Sequence, residues 1–543
     1  MPLGPGGRRR VNRGQLNPVG WGYREQALDD DERRRLIGPA RMWFGKAFGE
    51  AEPAPVPEAI ELPAVRVRVP ERLSAFVRVD DDVRLQHAVG RSFRDLASLR
   101  RGRLDASCDA VAQPADREQL AAVLEWCARD GLAAIPYGGG SSVVGGVNAE
   151  NLGACNGAVT VSLQRMNRVL DIDTDNACVH AEAGILGPDL EQALKPHGLG
   201  VRHFPQSYFH STLGGWVATR GAGHFSTGLA KIEDRVRQVG VLLPDGRELQ
   251  TRALPASSIG PDPNRLWCGS EGVLGVITEA SLRCVRLPTQ RAAASVGFRR
   301  FEDAMRAARE LLQGGLQPTQ LRILDPYEHM LSAALSGGDG QGALMILSFE
   351  STAAPVQALL DGALTVVREH GGQPRAGGGD AGGDDRSQGW RNTFFRQPYI
   401  RDALLDHAVI SDTFETAVPW SGAEAMYGEV REAVLEVLNA ELGTGMVTCR
   451  STHSYSDGLC LYFAFIGPGR REALVEQWWT IRERAARAVL ACGGTLSHHH
   501  AMGRDHARWA AAEVPGAFRA AVRAAKRELD PAGVMNPGLW FDE

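Results

Sequence analysis

Lysine is nearly missing from this 543-residue chain: only Lys46, Lys195, Lys231 and Lys526 stand among its 60 basic residues. We read this as the coding bias of a GC-rich genome rather than selected chemistry. Charge of one sign is missing as well. The net charge is −5, so no global field is on offer for nucleic acid. No uninterrupted apolar stretch approaches the roughly 18 residues of a spanning helix, which argues against an integral membrane protein. The opening MPLGPGGRRRVNRGQLNPVG is basic but lacks the apolar core of a secretory signal. Nine cysteines, an odd number with no C-x-x-C, count against a disulfide framework and against a thiolate zinc site. They fit a reducing cytoplasm.

Glycine, by contrast, is plentiful at 63 residues and concentrates in a few segments. Residues 1–90 read as an irregular arm with one helical stretch at 29–48 and a Pro-rich linker at 51–63. In 114–131, Leu120, Val123, Leu124 and Cys127 fall at i, i+3, i+4, i+7, one face of a helix that Gly131 stops. Strands are expected at 132–136, 159–163, 169–172 and 177–184, a helix at 187–198, and a hairpin at 239–250 around Pro244-Asp245-Gly246. Beyond 287 the pattern gives a helix at 301–314, strands at 321–325 and 343–350, and a helix near 354–370. The Gly/Asp stretch 371–389 reads as a loop or lid tip, or as a disordered insertion. A single helix is expected from about 505 to Asp530-Pro531.

Three segments point to chemistry. Gly138-Gly139-Gly140-Ser141-Ser142 follows a strand, and successive N–H groups of such a turn can face an anion, typically a diphosphate. The loop carries neither G-x-G-x-x-G nor Gly-Lys-Ser/Thr, so neither nucleotide fingerprint is present there. Residues 205–228 combine hydroxyls, a Gly-Gly pair and Arg220, suited to a flat or phosphorylated ligand. Residues 269–278 form a Gly-spaced turn entering a strand.

Together these three, in order and spacing, resemble the flavin-binding domain of the vanillyl-alcohol oxidase superfamily. A narrower resemblance runs through WGY (21–23), PYGGGSS (136–142), MNR (166–168), HAEAGI (180–185), STLGGWVATR (211–220) and GSEGVLGVITEA (269–280). It continues in LRILD (321–325), TFETAVPW (413–420), TCR (448–450) and SHHH (497–500). These resemble the alkyldihydroxyacetonephosphate synthase family. The implied fold class is α+β: a two-subdomain FAD-binding domain of the PCMH/vanillyl-alcohol oxidase type, an α+β cap with an antiparallel sheet, and helical N- and C-terminal segments. The corresponding divisions are 1–90 for the arm, 91–287 for FAD, 288–500 for the cap, and 501–543 returning to the FAD domain.

By the resemblance, Pro136, Tyr137, Gly138, Gly139, Gly140, Ser141 and Ser142 cradle the FAD diphosphate. Gln206, Ser207, Tyr208, Phe209, His210, Ser211 and Thr212, with Thr219, Arg220, Gly221 and Ala222, line the cofactor. Glu271, Gly272, Val273, Leu274, Gly275, Val276 and Ile277 complete the flavin site. The 136–146 loop contains no His or Cys for covalent attachment, so the FAD is expected to be non-covalent. Gln206 stands where the family carries an acidic residue.

Strand-like 493–496 leads into Ser497-His498-His499-His500, so neighbouring rings are expected on opposite faces, at most two sharing a side. The run reads either as a surface cluster or as proton-transfer and phosphate-binding groups. No metal is assigned. Tyr462, in the apolar run 459–466, is either a core tyrosine or, by the resemblance, the acid/base. Arg450 and Arg322 inside apolar strands need anionic partners: phosphate, carboxylate or flavin, or a structural salt bridge. The resemblance puts Tyr462, His498, His499, His500 and Arg322 in catalysis, and Arg450 with His500 on the substrate phosphate.

The implied reaction exchanges the acyl group of 1-acyl-dihydroxyacetone phosphate for a long-chain alcohol through an adduct at flavin N5, in ether-lipid synthesis. An apolar tunnel covered by 371–389, peripheral membrane contact and a homodimer are expected with it. Two rivals stand beside it: an FAD-linked 2-hydroxy acid dehydrogenase or oxidase of the same fold, and a non-catalytic flavin-binding scaffold.

Overall fold

The structure, a computed structural model, describes residues 14–336, 340–375 and 385–540. The strands Ala110–Ala112, Gly157–Ser162 and Leu132–Tyr137 run parallel, with Val77–Arg78 antiparallel at one edge. All three parallel strands are nearly fully buried, as parallel strands covered on both faces must be. The helix Arg117–Asp130 packs against them through Leu120, Val123, Leu124 and Cys127. It is capped at its start by Asp116 and ended by left-handed Gly131. An antiparallel five-stranded sheet follows, in the order Val169–Asp173, Cys178–Glu182, Val276–Arg283, Val236–Leu242, Glu248–Gln250. Both sheets share one apolar core, which makes them halves of one body.

A seven-stranded antiparallel sheet builds the second body. Its order is Gln373–Pro374, Gln290–Phe298, Ala343–Ser351, Gln320–Leu324, Met446–Ser454, Gly458–Pro468, Val409–Pro419. The helices Phe301–Gln313, Gln357–Glu369, Trp420–Leu442 and Leu474–Ala491 supply apolar residues to its main core. Met535 then pairs with Ala134, so the chain's end returns to the first sheet. Among the described residues no helix is long and apolar enough to cross a membrane.

Several expectations need correction. The arm up to residue 90 holds a second helix, Asp81–His87, besides Asp30–Phe44, and a helix Pro326–Ser336 fills what read as a connection. Pro326 opens that helix, where a missing N–H costs nothing. The C-terminal helix is two, Gly503–Glu513 and Gly516–Leu529, because Pro515 cannot continue a helix and instead caps the second. Of the stretch 371–389, Gln373–Pro374 pairs as a strand and a helix begins at Asp385; residues 376–384 lie outside the described residues.

Candidate active site

Antiparallel pairing fixes the heart of the site. Arg450, Tyr462 and Glu415 stand directly opposite one another on three adjacent strands, so their side chains emerge from the same face. The Arg450 guanidinium lies 4.2 Å from the Tyr462 ring centre. Tyr462 exchanges a 2.9 Å hydrogen bond with Thr413 Oγ1. Burial raises the Tyr462 phenol, and the Arg450 charge and Thr413 bond pull it partly back.

The histidine run is not the strand end that the sequence suggests. Residues 497–500 form a turn wrapped around the buried Glu415 carboxylate. Glu415 accepts from Ser497 Oγ at 2.9 Å, from His499 N–H at 3.0 Å, from His500 N–H at 2.8 Å, and from His498 N–H. The carboxylate gathers these donors as an anion in a nest of amides. All three rings therefore join one cluster rather than alternating between faces. His499 stacks 5.9 Å from Tyr462 and His500 meets it edge-on at 5.6 Å. Burial lowers all three imidazoles, most strongly His498 and His499. For Glu415 burial works upward, but His500, His498 and the N–H donors outweigh it and hold the carboxyl at about 2.

Arg450 Nη1 reaches Glu328 Oε1 at 2.6 Å, so the salt-bridge reading of this arginine has a partner, on the helix that read as a connection. Arg322 is buried and lies 3.0 Å from His224 Nδ1; burial, with Arg450 nearby, lowers its guanidinium to about 9.

The three glycine-bearing segments meet. A Cβ on Gly139 would lie 1.6 Å from His210 O, one on Gly138 2.2 Å from Thr212 Oγ1, and one on Gly272 2.7 Å from Pro136 Cγ. Only glycine permits these approaches. Among the described residues, the N–H groups of Gly139, Gly140, Ser141, Ser142 and Val143 find no protein acceptor. A run of N–H groups without protein acceptors after a strand fits an FAD diphosphate. Other assigned residues have protein partners as well. Glu271 accepts from Met502 and Gly503 N–H, and burial raises its carboxyl to about 7. Leu274 and Val276 belong to the core. Arg220 pairs with Glu233 at 3.2 Å, and Ser211 Oγ accepts from Trp216.

A cavity of about 440 Å³ joins these parts. Val143 and Gln206 line it from the glycine segments, and Tyr462, Arg450 and His500 from the cap. Its remaining wall is largely apolar, including Leu331, Leu404, Phe465 and Ile466, as expected of a site for a hydrocarbon chain. Met42 and Trp43 line it too yet are 84% and 54% exposed, so they mark its open end. Among the described residues the cover is the helix Asp30–Phe44 and residues near 400; of the stretch expected to cover it, 371–389, residues 376–384 lie outside the described residues.

Sequence reasoning missed Glu415, although TFETAVPW contains it. The available signal was an acidic residue between Phe414 and Ala417-Val418 within the strand Val409–Pro419. Thr413, His453 and Cys460 were missed because only pairing across the sheet brings them in, and Glu328 and Tyr455 because a helix and a hairpin turn packed on that sheet carry them.

The chain matches a family described as FAD binding domain over residues 108–252, and FAD linked oxidases, C-terminal domain, over 287–539. It is 30% identical over 485 residues to an alkyldihydroxyacetonephosphate synthase of Trypanosoma brucei brucei, covering 85% of this chain and 78% of that one. It is 30% identical over 484 residues to one of Caenorhabditis elegans, covering 85% and 80%. A solved alkyldihydroxyacetonephosphate synthase superposes with a TM-score of 0.80 at 25% identity, covering 96% of this chain and 98% of the other.

Proposed function

This chain belongs to the alkyldihydroxyacetonephosphate synthase family of FAD-dependent enzymes, and we propose that it exchanges the acyl group of 1-acyl-dihydroxyacetone phosphate for a long-chain alcohol. The observation that carries this reading is one continuous cavity, which runs from exposed Met42 and Trp43 along an apolar wall to Tyr462, Arg450 and His500. A substrate with a phosphorylated head and a long tail matches that polarity.

Residues 136–142, 206–212, 219–222 and 271–277 are the ones we assign to FAD, held without a covalent bond. Bound, it supplies the electron-accepting centre that no side chain offers. Tyr462 and His499 hold and move protons at the phenol oxygen and imidazole nitrogen. A neutral imidazole can take a proton and a neutral phenol can give one; the imidazolium and phenolate so formed would be offset by Glu415, 3.8 Å from His499 Nδ1, and by Arg450, 4.2 Å from the Tyr462 ring centre. Arg450 and His500 face the substrate phosphate. Arg450 keeps one nitrogen on Glu328 and its planar fork has further donors for an anion. Arg322 supports the same face.

Peripheral membrane contact fits the open end, where Trp43 and Met42 are flanked by exposed Arg41 and Lys46 on the same segment. Transfer of the labelled alkyl chain from hexadecanol to acyl-dihydroxyacetone phosphate, with no electron acceptor present, tests the reading. Flavin bleaching by lactate or glycolate in its place would overturn it in favour of a hydroxy acid dehydrogenase.

A further inference from the structure

His453 and Cys460 are cross-strand partners that follow the bulge in the pairing of Met446–Ser454 with Gly458–Pro468. The turn around Glu415 drops His498 and His499 beside them. The rings of His453, His498 and His499 form a triangle with centres 5.2, 5.4 and 5.2 Å apart. One ligand atom from each ring and the Cys460 sulfur all lie within 4.8 Å of one another. The corners of a tetrahedral zinc site are about 3.5 Å apart, given Zn–N near 2.0 Å and Zn–S near 2.3 Å.

The outer hydrogen bonds pick out the ring atoms. His453 Nε2 lies 3.0 Å from the Gly223 carbonyl, which can only accept, so this nitrogen carries the proton and Nδ1 is bare. His498 Nε2 lies 2.5 Å from Tyr455 Oη. His498 Nδ1 and His499 Nδ1 face each other at 2.9 Å, and the Thr452 hydroxyl sits 2.9 Å from His453 Nδ1 and 3.3 Å from Cys460 Sγ. Anchoring a ring through its far nitrogen is how proteins aim a metal-binding imidazole. The Cys460 thiol is free and buried.

We propose that His453, Cys460, His498 and His499 form a tetrahedral binding site for a zinc-class divalent cation, and that occupancy withdraws His499 from proton transfer. Three imidazoles and a thiolate select a borderline-soft ion over magnesium or calcium. Binding releases one proton, from the Cys460 thiol. The proton shared by His498 and His499 moves to an outer nitrogen, where Tyr455 Oη can accept it. His453 is already neutral near pH 7, since burial lowers it to about 3. The site stands on the geometry alone; its inhibitory effect rests on the role given to His499 above.

The test uses the FAD-loaded full chain, stripped with chelator and then dialysed against zinc. Elemental analysis should find one zinc per chain, and zinc-edge X-ray absorption should show one sulfur and three nitrogen neighbours. Cys460→Ala leaves the three rings in place and should lose the sulfur signal and weaken binding at least tenfold. Zinc should suppress alkyl transfer by the parent reversibly, and the Cys460→Ala enzyme far less. Fewer than 0.2 zinc per chain, or a shell of nitrogen and oxygen only that Cys460→Ala leaves unchanged, overturns the site. A nitrogen–sulfur shell with alkyl transfer unaffected keeps the site and overturns the inhibition, and with it the role of His499.

Discussion

Replacing Glu415 by Gln keeps the side chain's volume and removes the charge around which the histidine turn is built. The parent carboxylate takes four donors: Ser497 Oγ and the N–H groups of His498, His499 and His500. An amide oxygen can serve two of them, and its own NH₂ then opposes the others. Two buried donors left unsatisfied at roughly 1–3 kcal/mol each put the cost at about 2–6 kcal/mol. Protonation gives a second route to the same quantity. Folding lowers Glu415 from 4.5 to about 2, which at 1.36 kcal/mol per unit is about 3 kcal/mol. The folded value is the depressed one, so this stabilisation is complete above about pH 4.5 and drains away as pH falls toward 2. Urea denaturation of the parent and Glu415→Gln should therefore separate by about 3 kcal/mol at pH 7 and by about 1 kcal/mol at pH 3. A separation below roughly 0.5 kcal/mol at pH 7, or one that does not narrow in acid, refutes the claim that a buried carboxylate organises this turn.

Tyr462→Phe should lower alkyl transfer by about 10²–10⁴-fold, the usual range for a lost acid or base, while flavin content and circular dichroism stay at parent values. Gly139→Ala places a methyl against the His210 carbonyl, so the purified protein should carry less than a tenth of the parent's FAD by absorbance; full flavin content would contradict the close approach. Trp43→Glu should reduce co-sedimentation with anionic vesicles and leave transfer from a short, water-soluble alcohol intact. Shortening the alcohol should raise KM about fourfold per methylene removed, since each buried CH₂ contributes about 0.8 kcal/mol. A flat response would mean that the chain does not occupy the apolar cavity.

Elements with a strong local signature were legible in the sequence. The helix Arg117–Asp130 has both its apolar stripe and its terminal glycine, and the hairpin strands Val236–Leu242 and Glu248–Gln250 flank a Pro-Asp-Gly turn. The helix Pro326–Ser336 did carry a start signal that the sequence reading passed over: Asp325 accepts from the Glu328 N–H, Pro326 opens the helix, and Tyr327, Met330, Leu331 and Ala334 fall at i, i+3, i+4, i+7. In the site, the individual residues Tyr462, Arg450 and His498–His500 were readable, yet their relation was not. Glu415 and Tyr462 become neighbours only through strand pairing 47 residues apart in sequence, and the turn's shape is dictated by that carboxylate rather than by residues 493–500 themselves. His453 and Cys460 likewise carry no C-x-x-C spacing; a hairpin makes them adjacent.

The helix Asp30–Phe44 roofs the cavity whose far end is the Tyr462 row, although some 420 residues of chain separate the two. On the proposed reading, the ruler that measures a lipid tail is thus detachable from the chamber where bonds change. Grafting a different opening helix onto the same cap would retune which tails are admitted and leave the reaction itself untouched, so variation in tail preference between homologues is expected to concentrate in this early segment.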